Sequence, residues 1–227
     1  MAHRKYGGSA FLAGGLWLGA GVLYLGSEAL AAAAFSPTYS YARNYISDLG
    51  VPVCGTMFDG RSICSPLHSV MNVGFVLQGL CFFAAAAAIT WILSTPSRFV
   101  LLVCAALDGI GLVLLGFFSE SAATDLGGHA GYHVLGAFLA IVFGNATALA
   151  SAFAFKTLGL ARIHRVASVV LPSVAALAFA MLLRARGSAT MNLVPDGIWE
   201  RLSVYTITCW ELLSAVYLIG FARRQLA

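Results

Sequence analysis

Two segments of this 227-residue chain place polar side chains where they could act together. The first is Asp125-Leu-Gly-Gly-His129-Ala-Gly-Tyr-His133, in which a carboxylate and two imidazoles recur at every fourth position. On a helix this spacing aligns them along one face. Such a set suits a divalent metal such as zinc, or a histidine base oriented by an acid. Gly127, Gly128 and Gly131 make the segment a poor helix, so the regular helix is expected to start near Tyr132. Asp125 and His133 would lie about 12 Å apart on an ideal helix, too far for one ion to bridge. A metal would therefore use His129 and His133, with His68 as a further ligand and Asp48 on the same side. In a metal-free reading, His133 or His129 is the base with Asp125 as its orienting acid, and Asp48 is a further catalytic candidate. The structural alternative is a pair of interfacial histidines bonded to loop carbonyls.

The second segment is Tyr39-Ser-Tyr-Ala-Arg-Asn-Tyr-Ile-Ser-Asp-Leu-Gly50. Arg43 could hold a phosphate or carboxylate head group through paired hydrogen bonds, and Ser47 and Asp48 could cap a helical turn. The tyrosines also fit a plain anchor at the membrane interface. A third segment, Pro195-Asp-Gly-Ile-Trp-Glu-Arg201, turns at Pro195 and Gly197 and then enters an apolar run. Glu200 and Arg201 open that run. They could join Arg43 around a head group, or pair with Arg43 or Asp48 and lock the bundle. Glu28, Asp108 and Glu211 lie within apolar runs, where a charge is costly and usually has a partner or a task. They serve either a polar interior ligand site or helix-to-helix hydrogen bonds.

The elements that must carry these residues follow from composition. Some 60% of the chain is hydrophobic and 10% charged, with a mean hydropathy of +0.87. Soluble domains carry roughly 25% charged residues, so the expected solvent is a bilayer. A spanning helix needs about 20 apolar residues. Runs at 9–34, 67–94, 99–118, 132–155, 166–184 and 202–222 meet that length. The expected fold is therefore all-α, a compact bundle of six transmembrane helices in a single polytopic domain over 1–227. The first run is long for a signal peptide and is read as a retained span.

Lys and Arg favour cytoplasmic loops. Arg4, Lys5, Arg98, Lys156, Arg162, Arg165, Arg223 and Arg224 fall on the side of the termini. Arg43, Arg61, Arg184, Arg186 and Arg201 fall opposite, mixed with acids. Both termini are thus expected in the cytoplasm, with the chain in a bacterial inner membrane. Loops 35–66, 119–131 and 185–201 would be the outer ones. The net charge of +4 has no aromatic-interleaved basic patch, so nucleic acid is not an expected partner.

Cys81, Cys104 and Cys209 sit in apolar runs as small buried residues. Cys54 and Cys64 flank a Gly60 turn in the first outer loop. An oxidising compartment would join them in a disulfide.

The segment Arg43-Asn-Tyr-Ile-Ser-Asp-Leu-Gly50, His133 at the head of the fourth run and Gly197-Ile-Trp-Glu-Arg-Leu202 before the sixth resemble the prokaryotic family called domain of unknown function 998. The resemblance covers nearly the whole chain. It is looser to the Frag, DRAM and Sfk membrane proteins, which share a Ser-Asp segment after the first helix and are tied to lipid handling. It implies a compact bundle of about six helices with a polar outer mouth, and no assigned reaction. The expected function is accordingly a lipid-handling protein with its site at the outer face. Two alternatives stand beside it. One is a small transporter or channel using Glu28, Asp108 and Glu211 with Asn72, Gln78 and Asn145. The other is a membrane scaffold that associates with a second copy or another membrane protein through faces such as Gly14–Gly21 or Ala84–Ala88.

Overall fold

The computed structural model describes residues 2–58, 61–120, 130–185 and 194–226. Its helices are α1 (Ala2–Ala33), α2 (His68–Thr90), α3 (Ser97–Phe117), α4 (Ala130–Ala154), α5 (Arg162–Ala185) and α6 (Asp196–Leu226). All 6 are long and apolar enough to cross a membrane, the architecture of a multi-pass membrane protein. The fourth begins at Ala130, two residues before Tyr132, and α6 opens at Asp196, well ahead of the apolar run at Leu202.

Chain order becomes ring order. Helix α1 packs on α2, α2 on α3, α3 on α4, α4 on α5 and α5 on α6, and α6 returns to α1. The short α2–α3 and α4–α5 connections enforce part of this, because neighbours joined by a few residues must run antiparallel. The α4–α5 connection is a 3-10 turn, Phe155–Leu158, ended by Gly159 at φ +60°. That left-handed residue is the usual glycine stop. An even number of spans brings both termini to one end, here called the terminal end. The opposite end carries the long loop 34–67 and is called the loop end.

Where helices cross closely, glycines allow it. A Cβ on Gly111 of α3 would lie 2.6 Å from the Gly136 oxygen of α4, and one on Gly136 would lie 2.9 Å from the Gly111 oxygen. Small residues let backbones approach in this way where bilayer lipid gives no hydrophobic drive between helices. The interface between α4 and α5 is the least extensive of the ring, and α5 is the most exposed helix.

Loop 34–67 folds into the loop end of the ring instead of lying on the interface. Its 3-10 turn Ser47–Gly50 is wholly buried. Ile46, Leu49, Val51 and Ile63 join Tyr24, Met71 and Phe75 in one core cluster. Tyr39 and Tyr45 are buried and only Tyr41 is exposed, so these tyrosines are packing residues more than interfacial anchors. A hairpin of β1 (Thr56–Phe58) and β2 (Arg61–Ile63) pairs Thr56 with Ile63 and Phe58 with Arg61. Cys54 and Cys64 form the expected disulfide at the base of the hairpin. By the chain-entropy account, a loop of this length stabilises by about 2–3 kcal/mol. Cys54→Ser is expected to lower the melting temperature of purified protein, and reductant should lower the wild type to the same point. An unchanged melt in both would contradict this.

Candidate functional site

The described polar residues of the three sequence segments cluster at the loop end, where they form two distinct arrangements. The first is a lock. Arg201 of α6 is 7% exposed. Its Nη1 donates to the carbonyl oxygens of Tyr41 and Asn44 at 2.7 Å each and of Gly197 at 3.2 Å. Its Nη2 donates to Glu28 Oε1 of α1 at 3.2 Å and to the Tyr39 hydroxyl. Tyr39 passes the contact on, donating to the Tyr45 oxygen at 2.9 Å, and burial pushes its hydroxyl above the usual phenol range. Tyr205 donates to both oxygens of Glu28, at 2.9 and 2.8 Å. Gly197 is what admits α6 so close to the loop, since a Cβ there would lie 2.5 Å from the Asn44 oxygen.

Asp48 ties the loop to itself. Its Oδ2 accepts from Asn44 Nδ2 at 2.9 Å, Tyr45 N at 3.0 Å and Arg61 Nε at 3.1 Å. The Arg61 guanidinium also lies 4.1 Å over the Tyr45 ring. Ser65 Oγ donates to the Leu49 oxygen at 2.7 Å, and Asn72 Nδ2 to the Gly50 oxygen at 3.0 Å. These bonds account for the Tyr39–Gly50 segment as a folded cap.

The second arrangement is a cavity of about 150 Å³ inside the ring, to which all six helices contribute. At roughly 10–15 Å³ per water-sized probe this is room for more than a few waters. Glu120, His133 and Glu200 stand at its loop end, and Asp108, Gln78 and Thr208 lie deeper. His133 Nδ1 is 2.7 Å from the Phe118 oxygen. A carbonyl only accepts, so Nδ1 carries the proton, and Nε2 is left facing Glu120 Oε2 at 3.6 Å. Glu200 Oε2 accepts from Ile46 N at 2.5 Å, which fastens the cap to the cavity rim.

One wall is apolar and reaches the outside of the bundle. Val134 and Phe138 of α4 and Leu183 of α5 line the cavity, yet they are 50%, 46% and 57% exposed on the lipid-facing surface. Phe179 of α5 also lines it, its ring centroid 6.4 Å from that of Phe138. This thin wall lies where the ring is least tightly packed.

Of the residues singled out in the sequence, His133, Glu200, Asp108, Gln78 and Ser47 line this cavity, whereas Asp48, Arg201, Glu28 and His68 do not. Arg201 pairs with Glu28, and Asp48 with Arg61, so the expected pairing of Glu200 or Arg201 with Arg43 or Asp48 gives way to these two pairs. The physical reason is that the cap folds inward and offers Arg201 carbonyls before it reaches Asp48. Arg43 is exposed. His68 Nδ1 sits 3.1 Å from the Ser65 oxygen, and His129 and Asp125 lie outside the described residues. Among the described residues no three His, Cys, Asp or Glu side chains converge as a metal site. Sequence reasoning missed Glu120 as the partner of His133, and it missed the α4–α5 opening. The one signal for Glu120 was its position just after the third apolar run.

The sequence model of one family, described as protein of unknown function (DUF998), matches residues 6–217. No curated protein and no solved structure matches the chain.

Proposed function

We propose, for a chain that belongs to the DUF998 family, a lipid-handling role in which the bundle takes an amphiphile from the bilayer into its central cavity. The single observation that carries this reading is the wall shared by cavity and lipid-facing surface between α4 and α5. The polar end of the amphiphile meets Glu120, His133 and Glu200, and its chain lies against the exposed faces of Val134, Phe138 and Leu183 at the α4–α5 seam. Ligand sites are typically apolar clefts with a few placed polar groups, and this one has that make-up. The opening faces membrane, so its natural occupant comes from the membrane.

In a bacterial cell membrane the loop end would face outward. The Lys and Arg distribution supports that orientation. So does the Cys54–Cys64 disulfide, which belongs in an oxidising compartment. His133 and Glu120 would then act on the occupant's polar end from the outer leaflet, by hydrogen bonding or proton transfer.

Ala137, on α4, lines the cavity beside the opening. Ala137→Trp is expected to fill it. Lipid extracts of the purified protein, read by mass spectrometry, should show an amphiphile retained by the wild type and reduced roughly tenfold, about 1.4 kcal/mol, in the variant. Equal retention in a variant with an unchanged melting temperature would overturn the proposal.

A further inference from the structure

The described residues lining the cavity include the carboxylates of Asp108, Glu120 and Glu200, and among them there is no lysine or arginine. Glu120 faces His133 and Glu200 is held by the Ile46 amide. Asp108 differs. It lies on α3 deep in the bundle, 1% exposed, and its Oδ2 has no hydrogen-bond partner among the described residues. Gln78 of α2 shares this wall, 4% exposed, with its Oε1 likewise unpartnered. The Gln78 amide is oriented from behind: its Nε2 donates to Glu211 Oε2 at 2.8 Å, which leaves the carbonyl end for something else. Glu211, wholly buried on α6, also keeps one oxygen, Oε1, without a donor.

All of these unmatched atoms are acceptors. A buried acceptor without a donor costs about 1–3 kcal/mol, more when charged. Carboxylates held at membrane depth call for a positive partner, and the chain's own buried cation at this end, Arg201, is committed to Glu28 and the cap carbonyls. The complement to an acceptor-only floor is a group with several donors and no acceptor, which describes an ammonium. An anionic head group would instead meet three carboxylates and no lysine or arginine among the described lining residues.

We infer that the cavity selects a cationic amphiphile, whose chain enters between α4 and α5 and whose ammonium donates to Asp108 and Gln78. This rests on the amphiphile reading above, adds the charge of the head group and seats it on the cavity floor, below the rim of Glu120, His133 and Glu200. In it Asp108 is the binding residue and Glu211 the positioning residue that sets the Gln78 amide.

The test uses the full chain in nanodiscs and three probes of one chain length: dodecylammonium, dodecanol and dodecanoate, with binding measured by equilibrium dialysis. The wild type should bind dodecylammonium at least roughly tenfold tighter than either other probe, as a charge-assisted hydrogen bond requires. Asp108→Asn should remove that preference and leave dodecanol binding in place. Glu211→Gln should weaken dodecylammonium while Glu211→Asp restores part of it, a pattern that simple loss of packing would not give. If the wild type binds all three probes alike, or Asp108→Asn keeps the preference, the head-group inference is wrong and the cavity reading stands. The comparison of probes on the wild type needs no variant to fold. If no probe binds, and Ala137→Trp changes nothing, the cavity reading fails with it. If sodium alone raises the melting temperature in an Asp108-dependent way and the amine does not compete, the floor is a metal-ion site and the inference is overturned.

Discussion

Replacing Arg201 with methionine is expected to destabilise the protein by about 3–5 kcal/mol, the range for removing one partner of a buried ion pair. The cost has two sources. Glu28, 2% exposed, would lose its cation and keep only the Tyr205 hydroxyl. The carbonyls of Tyr41, Asn44 and Gly197 would lose their shared donor. Lysine would not serve, because a point ammonium cannot reach along the planar fork that now joins α1, α6 and the cap. Adding Glu28→Gln to Arg201→Met should recover part of the loss, because it removes the stranded charge. Thermal unfolding in detergent, followed by circular dichroism, checks the series. An Arg201→Met melt within a degree of wild type would show that the lock contributes little.

The fold was largely legible because a bilayer imposes a length on each element, and six apolar runs of that length stood out. The start of α6 was not. Asp196 to Trp199 reads as a turn, yet these residues form the first turn of α6, with Gly197 packed under the Asn44 oxygen. The roles of Arg201 and Asp48 were hidden as well. Their residue types announce charge pairing, but which partner each finds depends on a cap that folds inward. Asp108 was legible as a carboxylate at membrane depth. The cavity beside it was not, because its walls come from helices distant in sequence and its opening depends on how loosely α4 and α5 meet. His133 shows how two readings can coincide: its Nδ1 is fixed by a loop carbonyl, as a structural histidine would be, and this leaves Nε2 at the cavity rim.

Trp210→Ala is expected to cost about 3–5 kcal/mol, the usual range for deleting a buried tryptophan or phenylalanine ring. Trp210 is fully buried on α6. Its ring lies 5.1 Å from Trp17 at 70° and 6.1 Å from Phe82. Trp17 in turn contacts Phe155 at 6.4 Å. The Trp210 Nε1 donates to the Ser151 and Ser168 hydroxyls at 3.1 and 3.0 Å, joining α6 to α4 and α5. Trp210→Phe should cost less than the alanine, since it keeps one six-membered aromatic ring in the cluster while losing the pyrrole ring and its N–H. A thermal melt that ranks phenylalanine below alanine would contradict the packing argument. The position of this cluster also bears on function. Along each helix it lies beyond the cavity floor: Trp210 past Thr208 on α6, Phe82 past Gln78 on α2, and Trp17 on the terminal-end side of Tyr24 on α1. The ring is therefore filled by aromatic side chains below Asp108 and open above and beside it. A carboxylate at the bottom of a blind cleft suits the holding of a ligand that enters from the membrane. It does not suit a continuous path from one end of the bundle to the other, which would have to pass through the packed rings of Trp17, Phe82 and Trp210.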